Sequence, residues 1–93
     1  MRKSDIKTCW DEVLAARRLF HATCLSAFRR LKHLDTELYI KAVHTLENED
    51  EAAHWFSDRL EAYEGQTAWE VLLSGKRQVI LAVLARMEHG IYA

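Results

Sequence analysis

Residues 4–34 read SDIKTCWDEVLAARRLFHATCLSAFRRLKHL, and the spacing of their apolar side chains decides the fold. Ile6, Val13, Phe20, Ala27 and Leu34 recur every seven residues, and Trp10, Cys24 and Leu31 form a companion row that Arg17 interrupts. Apolar residues returning at this interval lie along one side of an α-helix. Ser4 and Asp5 supply a capping hydroxyl and an early acid for its start. Two readings stay open. One is a single helix over about 5–33, roughly 43 Å long at 1.5 Å per residue. The other is a pair of helices broken near His21-Ala22-Thr23, with Thr23 capping the second. The continuous helix is preferred. It is longer than a compact domain of this size is wide, so a second copy of the chain is its simplest cover and a homodimer is expected.

The remaining punctuation is helical as well. There is no proline, and the only glycines are Gly65, Gly75 and Gly90. Asp35-Thr36 starts a helix through Leu38, Tyr39, Val43 and Leu46. Asn48, with Glu51 three residues later, starts another over about 50–62 that aligns Ala52, Trp55, Phe56, Leu60 and Tyr63. Acids in that first turn have a helix-dipole explanation. They lack the alternating ligands and central glycine of a calcium loop. Gly65 permits a left-handed residue, and Thr67 with Glu70 forms a capping box for a short helix over about 68–74 carrying Trp69, Val71 and Leu72. The last helix begins near Lys76. It is apolar almost all round from Val79 to Ala85 and reads as the buried centre, with Gly90 at the position that ends it. Trp55, Trp69, Leu72, Val79, Ile80, Val83 and Leu84 are the expected core. The sequence thus specifies an all-α protein. A long N-terminal helix, or helical pair, over 1–47 precedes a compact bundle of short helices over 48–93.

Composition narrows the function classes. A chain that is 49% apolar and 29% charged has the balance of a folded protein rather than a disordered one. Its net charge of −1 argues against a domain built chiefly to neutralise phosphates. The basic strip containing Arg29, Arg30 and Lys32 is the one candidate DNA contact; its helical spacing with apolar residues reads first as a solvated face. Cys9 and Cys24 fall in apolar stripes and read as small hydrophobes, not a disulfide pair. The five histidines make no His-x-x-x-His pair and there is no Cys-x-x-Cys, so no metal site is indicated. Neither a glycine-rich phosphate loop nor a nucleophile–base pair is visible, and no enzyme activity or cofactor is expected. No apolar leader follows the first residue, and the longest apolar run is too short to span a bilayer, so a cytoplasmic protein without membrane contact is expected.

From about Ala52 onward the sequence resembles the toxin-binding domain of the Xre/MbcA/ParS-type antitoxins. The matching residues are Ala52 with Trp55-Phe56, then Gly65-x-Thr67-x-x-Glu70-Val71-Leu72, and the ending Arg86-Met87-Glu88-His89-Gly90-Ile91-Tyr92-Ala93. The family usually reads Gly-Gly-x-Thr-Pro-x-Glu-Leu-Leu in the middle and Arg-Ile-Glu-His-Gly-Val-Tyr-Ala at the end. Glu64 stands where its first glycine falls, and Ala68 where proline is usual. The resemblance implies an antitoxin that binds a RES-domain, NAD-consuming toxin and blocks its active-site entrance with its C-terminal region, and that self-associates. It implies partner contact by Arg86, Glu88, His89, Gly90, Ile91, Tyr92 and Ala93. Trp55, Gly65, Thr67, Trp69, Glu70 and Leu72 would shape the domain. Residues 1–50 carry no match to the DNA-binding region that often precedes this domain. A small DNA-binding regulator, or an inhibitor or adaptor using the same domain on another enzyme, are the alternatives.

Overall fold

The structure is a computed structural model and describes residues 2–90, apart from the side chain of Ala62. Among these residues it contains five α-helices and no strand. The first, α1, runs unbroken over Lys3–Leu34, so Thr23 lies inside a helix instead of capping one. α1 begins one residue before Ser4. Arg2 holds the capping position without a side-chain bond, and Ser4 instead offers its carbonyl to Thr8 Oγ1 at 3.0 Å. Asp5 does sit in the first turn, 3.7 Å from Arg2.

Asp35 ends α1 and starts α2 (Thr36–Leu46), its carboxylate accepting the Leu38 N–H at 3.2 Å. Asn48 starts α3 (Glu49–Ser57) by accepting the Glu51 N–H at 2.8 Å. α3 stops five residues before the sequence suggests. Asp58 turns extended, and Leu60 pairs with Gln66 in an isolated antiparallel bridge around a single 3₁₀ turn at Glu61–Tyr63. Two consecutive residues of positive φ close this loop, Glu64 (57°) and Gly65 (78°). The Thr67–Glu70 capping box then forms in full and opens α4 (Ala68–Leu73). Glu70 N–H reaches Thr67 Oγ1 at 3.2 Å, and Thr67 N–H reaches Glu70 Oε1 at 2.9 Å. α5 (Arg77–Glu88) ends at Gly90, whose φ of 72° fits the expected stop.

The core lies where α2 and α3 pack on the C-terminal half of α1, with α5 against α2 and α4 bridging α3 and α5. Phe28, Leu38, Phe56, Ile80 and Leu84 are its largest fully enclosed side chains, and the cluster draws on both sides of residue 47. Phe56 is the hub: its ring meets Phe28 at 5.2 Å, Trp55 at 5.4 Å and Trp69 at 5.0 Å, all tilted or edge-on as aromatic quadrupoles favour. Ala42, Ala52, Ala53 and Ala68 are buried as well, and side chains this small let the helices approach closely.

Two packing expectations are corrected. α5 is not enclosed on all sides: Ile80 and Leu84 are buried, but Val79 is 38% exposed and Val83 and Leu81 only half-buried. Four other helices share a small core, and none lies over the far face of α5. Trp55, Trp69 and Leu72 are likewise half-buried at the core's edge. The two cysteines also part company, Cys24 being buried and Cys9 exposed. Cys9 lies on the half of α1 that extends beyond the body, in a molecule 51 × 30 × 25 Å. There Ile6, Trp10 (49%), Val13 and Phe20 (55%) stand about half exposed.

Candidate partner-binding surface

The C-terminal surface is held in place by two ion-paired ties that the sequence does not announce. At the start of α5, Arg77 grips Asp35 through Nε–Oδ2 (2.6 Å) and Nη2–Oδ1 (3.0 Å), and its Nη2 also reaches Glu37 Oε1 at 2.6 Å. The fork-to-fork geometry suits a guanidinium facing a carboxylate. The hydrogen bonds from Arg77 hold the Asp35 carboxyl below its ordinary range, against an opposing effect of burial. They raise the guanidinium pKa in turn. Asp35 therefore closes α1, caps α2 and fastens α5.

At the far end of α5, Lys41 of α2 donates to Glu88 Oε2, and His44 Nε2 lies 3.3 Å from Oε1. The lysine bond holds the Glu88 carboxyl below its ordinary range. Glu88 is thus engaged within the chain. Arg86, His89 and Gly90 are open to solvent. The His89 N–H bonds Ala85 O at 3.2 Å and the Gly90 N–H bonds Met87 O at 3.1 Å, which closes the helix. Ile91, Tyr92 and Ala93 lie outside the described residues.

Arg86 follows Val79 and Ala82 at i, i+3 and i+7, so these three mark the outward face of α5. Leu73, the last residue of α4, is 88% exposed. Val79 also borders a shallow groove of about 260 Å³ shared with Tyr63, Glu64, Gln66, Val71 and Lys76. The Tyr63 hydroxyl donates to Val79 O at 3.4 Å, and burial pushes its pKa up. Leu73 and Val79 were legible only as helix apolar positions. Their exposure depends on where α4 and α5 sit.

The motif residues shape this surface from behind. Trp69 Nε1 donates to Ser57 Oγ at 3.3 Å and its ring stacks edge-on against Phe56, which ties α4 to α3. Arg59 Nη1 donates to Gly65 O at 3.3 Å across the loop. Glu70 is held ionised chiefly by the backbone N–H of Thr67. Leu72 of α4 is half-buried against the edge of the core.

The basic strip is partly spent inside the chain. Arg29 Nε donates to Glu49 Oε1 at 3.3 Å, and Glu49 also accepts the Tyr39 hydroxyl at 2.5 Å. Lys32 Nζ stands 6.0 Å over the Tyr39 ring, while Arg30 is exposed. A second groove, of about 410 Å³, lies between α1 and α3, where His21 stacks on His54 at 5.4 Å near Cys24, Asp50 and Glu51. Among the described residues no three His, Cys, Asp or Glu side chains converge as metal ligands, and no helix is long and apolar enough to cross a membrane. No family model matches this chain, and no curated protein or solved structure proves similar to it.

Proposed function

We propose that this chain is an antitoxin that binds a RES-domain, NAD-consuming toxin and blocks it with its C-terminal region. The observation that carries the reading is one of sequence: one chain holds both Gly65-x-Thr67-x-x-Glu70-Val71-Leu72 and the ending Arg86–Ala93, each resembling the family's own string. Two features of the fold support it. Glu64 replaces the family's first glycine, yet its φ of 57° lies in the region where glycine is the favoured residue. The closing helix stops at Gly90, so the chain leaves the helix axis just before Ile91. An apolar residue and an aromatic one beyond a helix stop are suited to entering a cleft, since Tyr gives large contact area at low entropic cost. Arg86, exposed on the closing helix, adds a polar contact, while Glu88 holds the helix end to α2.

Co-expression with a RES-domain toxin tests this. The two proteins are expected to co-purify, with NAD consumption recovered when they are separated. Deleting Ile91–Ala93 is expected to abolish neutralisation and leave the melting temperature unchanged. A truncated chain that still neutralises overturns the C-terminal plug. Absence of toxin binding together with salt-dependent binding to promoter DNA favours the regulator reading, in which Arg30 and Lys32 carry the contact.

A further inference from the structure

His21-x-x-Cys24 on α1 and Asp50-x-x-x-His54 on α3 each place two ligand-type side chains one helical turn apart on one face. The fold sets these two faces against each other. Arg29 of α1 bonds Glu49 at the start of α3, and His21 meets His54 near its end, so the two helices run antiparallel. Cys24 and Ala53 line the groove between them and are buried. An alanine at that point lets the backbones approach and brings the two imidazoles together across the groove.

We propose that His21 and His54 together bind one divalent transition-metal ion of the zinc, nickel and copper group. The chain supplies two imidazole ligands and leaves the other coordination positions open. The ion joins α1 to α3 next to Cys24, the first buried residue of α1, where the helix leaves the body.

Three observations support the site. The first is spacing. The two ring centroids are 5.4 Å apart, with planes 25° from parallel. Two imidazoles on one tetrahedral ion, each with a metal–nitrogen bond of about 2.0–2.1 Å, have centroids about 5 Å apart. Turning a ring about its last side-chain torsion leaves its centroid nearly in place, and both histidines are exposed. Ring rotation alone therefore brings a nitrogen of each to a common point, with no movement of either helix. The second is orientation. An Asp58 carboxylate oxygen lies 3.5 Å from Nε2 of His54. A carboxylate on one ring nitrogen fixes the tautomer, raises the basicity of the ligand and leaves Nδ1 for the ion. The third is charge. Asp50 and Glu51 line the groove and, among the described residues, no lysine or arginine does, so its field favours a cation.

The ligand type selects the ion. Imidazole suits zinc, nickel and copper, whereas calcium and magnesium take oxygen donors in greater number. No three His, Cys, Asp or Glu side chains converge among the described residues. The site is therefore an open one of two protein ligands, weaker than a closed four-ligand structural site. Cys24 is buried beside it and stays outside the ligand set.

Zinc titration of the full chain without an affinity tag tests the proposal, followed by calorimetry and by magnetic resonance of the histidine rings. Saturation at one zinc per chain is expected, with ring shifts confined to His21 and His54 and no competition from magnesium. His21→Gln and His54→Gln are each expected to weaken binding by about tenfold or more, and Asp58→Asn by about tenfold. His33→Gln and His44→Gln are expected to bind as wild type. All five positions are exposed, so the variants keep their helicity, which circular dichroism checks. Zinc is also expected to slow amide exchange around His21 in wild type and not in His21→Gln. Titration without saturation, which leaves the two rings merely stacked, overturns the proposal. So does unchanged affinity in either His21→Gln or His54→Gln, or ring shifts centred on His44 beside Glu88. Deletion of Ile91–Ala93 leaves zinc binding unchanged, so the outcome is separate from that of the antitoxin reading.

Discussion

Replacing Phe56 tests the account of the core most directly. Phe56 is fully enclosed and meets three aromatic rings at 5.0 to 5.4 Å. Burying such a side chain is worth about 1.5–3 kcal/mol, and each edge-on aromatic pair adds about 0.5–1.5 kcal/mol, with overlap between them. Phe56→Ala also leaves a cavity, so its cost falls at the upper end of the usual 3–5 kcal/mol, or about 5 kcal/mol. A chain of this length is stable by roughly 5–14 kcal/mol, and that loss brings it near unfolding. Phe56→Leu keeps most of the volume and loses the ring contacts, for about 1.5 kcal/mol. In urea, with a slope of about 1–1.5 kcal/mol per molar, its midpoint falls by about 1 M. Circular dichroism follows the helices. In a Trp10→Phe background the fluorescence comes from Trp55 and Trp69, both in contact with Phe56. Leu73→Ala is the control, because Leu73 is 88% exposed and surface changes stay within about 0.5 kcal/mol. If Phe56→Leu and Leu73→Ala shift the midpoint equally, the aromatic hub is not the centre of stability and the reasoning fails.

Asp35→Asn keeps the cap on α2, because asparagine caps as well as aspartate, but removes the charge that faces Arg77. The folded carboxyl titrates below its ordinary value of 3.8. Its contribution is therefore present above that pH and lost as pH falls through the lower folded value. Melting temperatures of wild type and Asp35→Asn are expected to differ at pH 7 and to converge as pH falls below 3.8 through the lowered folded value; a gap constant with pH contradicts the ion pair. Thr67→Ala removes half of the capping box and is expected to cost about 1 kcal/mol, a drop of about 4–8 °C in melting temperature. Glu64→Gly relieves a left-handed non-glycine residue and is expected to stabilise by up to about 1 kcal/mol. A loss of stability in calorimetry would show that the Glu64 side chain has a role the loop geometry does not reveal.

Local signals carried most of the fold. The seven-residue rows favoured a continuous α1 over a broken pair without excluding the break, and the pairs Asn48–Glu51 and Thr67–Glu70 identified the capping residues, because a cap involves neighbours only three positions apart. Signals failed where the deciding partner is distant in sequence. α3 ends at Ser57 because Leu60 pairs with Gln66, and no glycine or proline marks that break. Val79 reads as core because periodicity reports an apolar face and not what covers it. The tie from Arg77 to Asp35 spans 42 residues and has no sequence signature. At the candidate surface the sequence identified Arg86, His89 and Gly90 as helix-end residues. It could not show that Glu88 is held by Lys41, nor that Leu73 and Val79 face water.

One helix that is packed along only half its length has two stabilities. From Cys24 to Leu34 the backbone amides of α1 open only when the core opens. From Lys3 to about Phe20, in the single chain, they depend on local hydrogen bonds, and a stretch of that length is marginal in water on its own. Amide exchange should therefore step upward in protection near His21, with no break in the helix to mark it. The Arg17-Arg18 pair lies on the weaker side of that step. Brief exposure to trypsin would cut at this pair, and at Arg2, Lys3 and Lys7, before any site in the core-packed half, and would leave the five-helix body folded. The rate of that cut, falling as protein concentration rises, would report how much of the first half is covered.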